Sequence, residues 1–415
     1  MKVAIIGTGI SGMVAAWLLQ RKHSITVFEV NDYIGGHTNT VQVEQAGRLY
    51  DVDTGFIVFN RRTYPNFCRL LERLNVESQE SEMSFSVKCE RTGFEYCGTS
   101  LNTVFAQRSN LVSFSFLRML YDILKFNRTA VSRLANGRAE MPLGEYLDRC
   151  GYSKSFREHY LIPMGAAIWS TSPSQMLDFP AKYFIQFLSN HGLLTLTDRP
   201  IWRTIVGGSK RYVEKLTQSF RDGIRLNCPV LSVRRTVAAV EVTSPDGVEL
   251  FDQVVFATHG DQALRILKDA TPVERTVLSA FECSKNTAIL HTDVNLLPKR
   301  RLAWASWNYS LPQEAIDVPS VTYQMNILQR IGSPEPFCVT LNREDAIRPD
   351  KILRKIQYEH PIYSPAAVAA QARHFEISGI SQRVHFCGAY WGYGFHEDGV
   401  KSAIAVAKAF EIDFE

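Results

Sequence analysis

Two hydrophobic periods divide this chain of 415 residues. The apolar run 3–6 is short and partly β-branched, as a strand buried on both faces requires. Residues 13–19 are apolar over a helical length and lose that character at Gln20, Arg21 and Lys22. Residues 25–29 read as a second strand ending in the acid Glu29. The pattern then predicts a hairpin from 41–43 and 49–52. Near the C-terminus, 383–388 is a strand ending in glycine, and 399–407 is a helix whose N-terminus faces that loop. Between these pieces, 76–200 is rich in helix patterns. Residues 285–291, 302–309 and 321–325 read as strands with frequent aromatics. Neither a repeat nor a low-complexity linker interrupts them.

The turn between the first strand and helix carries Gly7, Gly9, Ile10, Ser11 and Gly12. Gly7 permits a tight turn, Gly9 lets backbone approach a pyrophosphate, and Gly12 lets the helix pack closely on the strand. The helix N-terminus, at Ile10 and Ser11, offers free N–H groups and a positive dipole end to phosphates. Glu29, followed by Val30, can accept hydrogen bonds from ribose hydroxyls and repels a 2′-phosphate. Strand, turn, helix, strand and acid arrive in the order an adenine dinucleotide site needs.

Composition narrows the class. Lys+Arg number 46 against 42 Asp+Glu, and a net charge of +4 is too slight for a nucleic-acid partner. No apolar run reaches the roughly 18–20 residues of a membrane span. Eight cysteines form no CxxC pair and no zinc-finger spacing, so reduced thiols in a cytoplasmic protein are expected and no metal site is. A single Lys2 before a short apolar segment argues against a signal peptide.

The glycine turn does not separate FAD from NAD, and three further motifs bear on it: Gly35-Gly36 followed by His37 and Thr38, the Asp53-Thr54-Gly55 turn, and the late strand–Gly388–loop–helix. With them the chain resembles the flavin-containing amine oxidase and phytoene desaturase superfamily over nearly its whole length. The resemblance implies an α/β fold: a Rossmann-type, GR2-like FAD-binding domain with a discontinuous α+β substrate domain. It places the former at 1–75, 201–265 and 371–415, and the latter at 76–200 and 266–370. It implies non-covalent FAD, since Cys387 does not match the family's flavin thioether position. By similarity Gly35 and Gly36 pass the pyrophosphate, 228–233 is the family strand whose backbone near Val230 holds the adenine, and 254–258 is the next strand back, with the Asp246-Gly247 turn between them fitting a hairpin. The helix with Gly399 and Val400 then points at the isoalloxazine. His37 stands where the family has arginine, and Ala389 where it has an acid. The final glycine-rich signature is replaced by 390–399, which is similar to a bacterial subgroup of predicted FAD/NAD-binding oxidoreductases linked with cyclopropane-type fatty-acid modification.

The resemblance puts 390–398 beside the isoalloxazine. Tyr390, Trp391 and Tyr393 are then expected as an aromatic wall and His396 as a proton acceptor, or else His396 and Glu397 hold the loop by hydrogen bonds. Trp304, Trp307, Tyr309 and Tyr323 could line a cavity or form the packed face of a sheet. Gly207-Gly208-Ser209 either approaches the flavin edge or starts a helix with Ser209 as its N-cap. His37 and His259 fall on cofactor-side loops. No second GxGxxG follows a strand, so electrons are expected from an organic substrate rather than NADPH.

The favoured function is hydride abstraction from a lipid or fatty-acyl chain, with a flavin amine oxidase or a non-catalytic flavin-binding protein as alternatives. Arg108, Arg118, Lys125, Arg128, Arg133 and Arg138 interleave with apolar residues across 108–138. That stretch fits contact with an anionic membrane surface at its inner, cytoplasmic face, or a core helix with a solvated basic edge.

Overall fold

The computed structural model describes residues 1–195, 199–314 and 317–414. Three distant parts of the chain supply one five-stranded sheet, all parallel, in the order Ile224–Arg225, Ser24–Phe28, Lys2–Ile6, Gln253–Phe256, Val384–Phe386. The central run is apolar throughout because both of its faces are covered. Val3 and Ile5 join the core beneath helices Ile10–Leu19 and His396–Ala409. Ala4 and Ile6 join the opposite core, under the antiparallel meander Ser232–Arg235, Val240–Ser244, Gly247–Phe251. Alternate side chains thus feed two cores, as the period of a strand dictates.

The hairpin Thr40–Gln45 with Arg48–Asp53 forms as read, Val41 opposite Val52. Its turn places Ala46 and Gly47 at φ 53° and 73°, the sign that two-residue hairpin turns need. The 228–233 run differs from expectation: the strand begins only at Ser232, and Cys228-Pro229-Val230 is a loop.

The second sheet has seven strands, in the order Ile352–Pro361, Cys283–His291, Cys338–Leu341, Val321–Gln324, Trp307–Leu311, Phe85–Cys89, Phe94–Cys97. The hairpin of Phe85–Cys89 and Phe94–Cys97 lies in the segment read as helical, and it pairs in parallel with Trp307–Leu311. Both middle segments therefore build one sheet. Residues 301–303 are a 3-10 turn, so the strand expected over 302–309 starts at Trp307.

Helix Phe114–Ala135 packs across this half. Phe116, Met119, Phe126 and Ala130 enter the core, while Phe114, Leu117, Tyr121 and Leu124 stay exposed on the other side. Among the described residues, no helix is long and apolar enough to cross a membrane.

Candidate functional site

A single cavity of about 1170 Å3 runs between the two sheets, above the roughly 300–1,000 Å3 of a pocket for one drug-sized ligand. One end is lined by Gly7, Gly9, Glu29, Val30, Gly36 and Val230, and the other by Met83, Tyr96, Tyr160, Met164, Ile168 and Trp169.

The first end is shaped by backbone. Gly7 has φ 103°, in the region that favours glycine, and a Cβ there would lie 2.8 Å from the Ala257 carbonyl oxygen. Gly12 sits against the strand, where a Cβ would fall 2.0 Å from the Gly7 carbonyl oxygen. A Cβ on Gly9 would meet only open space, which leaves the start of helix Ile10–Leu19 facing the cavity. Gly36 (φ 58°) closes over it, so that a Cβ would come within 3.2 Å of Gly9 Cα. Thr8 ties these loops together: its hydroxyl donates to Glu29 Oε2 and accepts from Gly35 N at 3.2 Å. Glu29 is buried and also takes the Asn31 backbone and side-chain N–H groups at 2.9 and 2.7 Å.

This cradle fits the adenosine and diphosphate of FAD. An open space stands before free helix N–H groups, and a fixed carboxylate borders the same cavity. Gly7, Gly9, Ile10, Ser11, Glu29, Val30, Gly35, Gly36, His37, Val230 and Gly388 all line it. Gly12, Thr38, Gly399 and Val400 do not, and act one layer behind. A Cβ on Gly399 would lie 2.7 Å from Ile10 Cγ2, and Val400 is fully buried. Gly388 N donates to Ser402 Oγ at 2.9 Å, which anchors the loop to the last helix.

His396 lines the cavity but is gripped. Its Nε2 lies 3.0 Å from Thr38 Oγ1 and 3.1 Å from Tyr212 Oη, and its ring stacks on Phe56 at 3.5 Å. Burial pushes its pKa down to about 3, so the ring is neutral at physiological pH. Glu397 accepts from Asn66 N and Phe67 N at 3.3 and 3.0 Å, at the start of helix Pro65–Arg73. Asp398, not singled out in the sequence, accepts from Tyr393 N and Phe395 N at 3.0 and 3.1 Å and folds the loop around itself. Burial raises its carboxyl to about 6.

Tyr390 lines the cavity and is buried against Phe281. Trp391 does not reach the wall expected of it. The 3-10 turn Ala389–Trp391 rotates its indole outward, against Phe281 and His374. Tyr393 and Phe395 line the cavity, in contact with Phe187. Trp307 and Tyr323, perpendicular at 5.0 Å, line it as well. Tyr309 is core, and the Trp304 indole donates to the Pro298 carbonyl at 2.8 Å.

Ser209 makes no capping hydrogen bond. Its hydroxyl donates instead to Asp53 Oδ2 at 3.0 Å, beside Gln329 Nε2 at 2.8 Å and the Thr40 hydroxyl. Asp53 is fully buried and its carboxyl is raised to about 6 by burial. The Gly207-Gly208 turn thus meets a structural hub rather than the cavity wall.

Sequence reading missed most of the second end, because its residues come from unconnected segments with no motif of their own. From the 76–200 segment the lining is Met83, Phe85, Tyr96, Tyr160, Met164, Trp169 and their neighbours. Among the described residues there, Arg199 is the one with a permanent charge, and none is a carboxylate. His191 is pushed down to about 4 by burial and is neutral.

A parallel sheet with a dinucleotide cradle and a second, aromatic-walled sheet over it defines a two-domain flavoprotein oxidoreductase. The sequence model described as flavin containing amine oxidoreductase matches residues 10–291. The chain belongs to that family, and FAD is its cofactor. Solved structures share the fold end to end. A putrescine oxidase variant is 14% identical over 99% of this chain and 98% of its own, with a TM-score of 0.69. Cyclohexylamine oxidase from Brevibacterium oxydans IH-35A is 18% identical over 99% of each chain, TM-score 0.65. A CLA-producing fatty acid isomerase from P. acnes is 14% identical over 99% and 98%, TM-score 0.66.

Proposed function

We propose that this flavoenzyme removes hydride from an apolar, uncharged or anionic substrate, foremost a lipid or fatty-acyl chain. The observation that carries the reading is the second end of the cavity. Its wall from the 76–200 segment offers aromatic and aliphatic surface with one cation, Arg199, and among the described residues no carboxylate to pair with an ammonium group. A methylene chain loses nothing by burial there, and a terminal anion finds Arg199, which is exposed. FAD, when bound, accepts the two electrons as hydride. The chain's own part is to hold the substrate carbon between Trp307, Tyr323, Tyr393 and Phe395, to exclude water, and to keep His396 neutral and fixed.

The cofactor is read as non-covalent. Cys387 is fully buried and is not a lining residue, and burial pushes its thiol far up. Among the described lining residues the one cysteine is Cys228, beside Glu29, whose carbonyl oxygen accepts from Cys228 N at 2.8 Å.

The same reading supplies a partner. On helix Phe114–Ala135, the exposed Phe114, Leu117, Tyr121 and Leu124 fall on one stripe. Beside them, Leu111 and Val112 are exposed, at 52% and 87%. The one acid between 101 and 139 is Asp122, which is buried. An anionic lipid surface complements that face. The cavity reaches the same region, since exposed Gly98 and Thr99 line it just before Leu101.

The test follows the visible flavin spectrum anaerobically while phospholipid vesicles and then amines are added. Bleaching by lipid supports the proposal, and bleaching by amine alone replaces it with amine oxidation. Bleaching by neither points to a non-catalytic flavoprotein. Sedimentation with anionic but not neutral vesicles, lost in Phe114→Ser/Leu117→Ser, tests the surface.

A further inference from the structure

Three histidines from three segments meet over the diphosphate end of the cavity. The His37 ring stacks on Tyr358 at 4.8 Å, and lies 5.1 Å from the His360 ring and 6.2 Å from the His259 ring. All three line the cavity. Their hydrogen bonds differ. His259 caps helix Gly260–Ile266 through its backbone, its N–H donating to Gln262 Oε1 at 3.3 Å, and its ring makes no capping hydrogen bond. At His360 the chain of donors is fixed from the backbone. Thr287 N donates to Asn342 Oδ1 at 2.8 Å, so Asn342 Nδ2 donates to Asn286 Oδ1 at 2.7 Å. Asn286 Nδ2 then donates to His360 Nδ1 at 2.9 Å. Protonating His360 at Nδ1 breaks that hydrogen bond. His37 Nε2 has no partner and is buried, so a proton added there breaks none.

The surrounding charges leave this position open. Lys and Arg are absent among the described lining residues of 6–11, 28–37, 54–58 and 228–230. Of the cations further along the wall, Arg265 is paired with Asp261 at 2.8 Å, and Lys285 stands opposite Glu359 in the strand register. The groups facing His37 are His259, His360 and the neutral His396, with the phenol of Tyr358. The Glu359 backbone hydrogen-bonds the His37 ring, and the carboxylates of Glu359 and Asp261 act on His259. Without a bound anion, burial and the neighbouring rings hold His37 well below its ordinary pKa. His37 directly follows Gly36, which closes over Gly9 and the helix N-terminus where a diphosphate sits.

We propose that His37 takes up one proton from solvent at Nε2 when the FAD diphosphate occupies the cradle, so that FAD affinity is coupled to pH through this single imidazole. The proposal rests on FAD being the cofactor. It adds that a switchable cation serves the diphosphate, where the cradle's own lining offers no permanent one.

The experiment dilutes the holoenzyme at a series of pH values between about 6 and 9 and reads the dissociation constant from released flavin fluorescence. The diphosphate diester stays ionised throughout, so a slope reports the protein. Wild type is expected to weaken by up to tenfold per pH unit from the acid end up to the raised pKa of the imidazole in the complex, and to level off above it. His37→Arg should bind FAD with a flat profile. His37→Gln should also be flat, and at least tenfold weaker than wild type at the acid end. A flat wild-type profile, or a slope that survives in both variants, overturns the proposal. If neither variant folds by far-UV circular dichroism, the 15N imidazole shifts of wild-type holoenzyme decide: an imidazolium stacked on Tyr358 supports it, and only neutral rings refute it. A purified protein with no flavin band would instead refute the cofactor reading, a separate failure.

Discussion

The two ends of the cavity are built by different means. At the Glu29 end the shape comes from absent side chains, with Gly7, Gly12 and Gly36 letting backbone approach backbone and Gly9 leaving open space before the helix. At the Tyr160 end it comes from present ones, with aromatic and aliphatic groups from Met83 to Tyr323 converging from separate strands and helices. The first kind of site tolerates almost no added atom, since backbone cannot step aside. The second tolerates exchange of one apolar side chain for another, and this lets one cofactor frame serve different substrates.

The sharpest way to break the cradle is Gly12→Val. Its Cβ would lie 2.0 Å from the Gly7 carbonyl oxygen and 3.0 Å from Ala257 Cβ. Near-complete loss of bound flavin is expected, with destabilisation on the order of 3 kcal/mol. Absorbance per protein and thermal unfolding measure both. Glu29→Gln keeps the shape but removes the charge that holds Thr8 and Asn31 and that we propose to meet the ribose. FAD should bind roughly ten- to hundredfold more weakly, the weight of about 1.5–3 kcal/mol for hydrogen bonds to a charged group. A Gln variant with unchanged affinity would show that the cradle's backbone suffices.

At the other end, Trp307→Leu should leave flavin content unchanged and lower kcat/KM for the substrate that bleaches the flavin by about tenfold, within the roughly 1–3 kcal/mol of an apolar pocket contact. Loss of flavin in that variant would erase the division between the ends. A smaller effect is expected from Asp398, whose carboxyl is raised to about 6. The folded state therefore binds this proton more tightly than the unfolded chain. Its contribution to stability is full below the ordinary carboxyl pKa and is lost as pH rises through about 6. Asp398→Asn should flatten the stability profile over that interval by on the order of 1 kcal/mol. Urea midpoints across the pH series read it. Smallest of all, Phe114→Ser/Leu117→Ser should change stability by less than about 0.5 kcal/mol, since both side chains are exposed.

The cradle was legible because each requirement is local. Strand, glycines, helix and Glu29 fall within one stretch, and the chemistry of each residue is fixed by its neighbours in sequence. The late helix was legible in the same way, and the structure adds that Gly399 and Val400 serve by packing against the first helix. Trp391 was misplaced because whether a side chain in a short 3-10 turn faces inward depends on one rotation of the backbone. Ser209 looked like a cap because the partner that draws it off, Asp53, lies 156 residues away. The Phe85–Cys97 hairpin escaped notice because its pairing strand is Trp307–Leu311, and a strand's identity is settled by the partner it finds.

By itself the sequence determined the parallel sheet, the dinucleotide turn and the family, since these rest on short-range periodicity and on glycine's freedom of φ. Only the tertiary structure decided which histidines share one cluster, which aromatics face the cavity, and that one stripe of a helix stays uncovered. Those are properties of residues far apart in the chain, brought together by packing that no local pattern encodes.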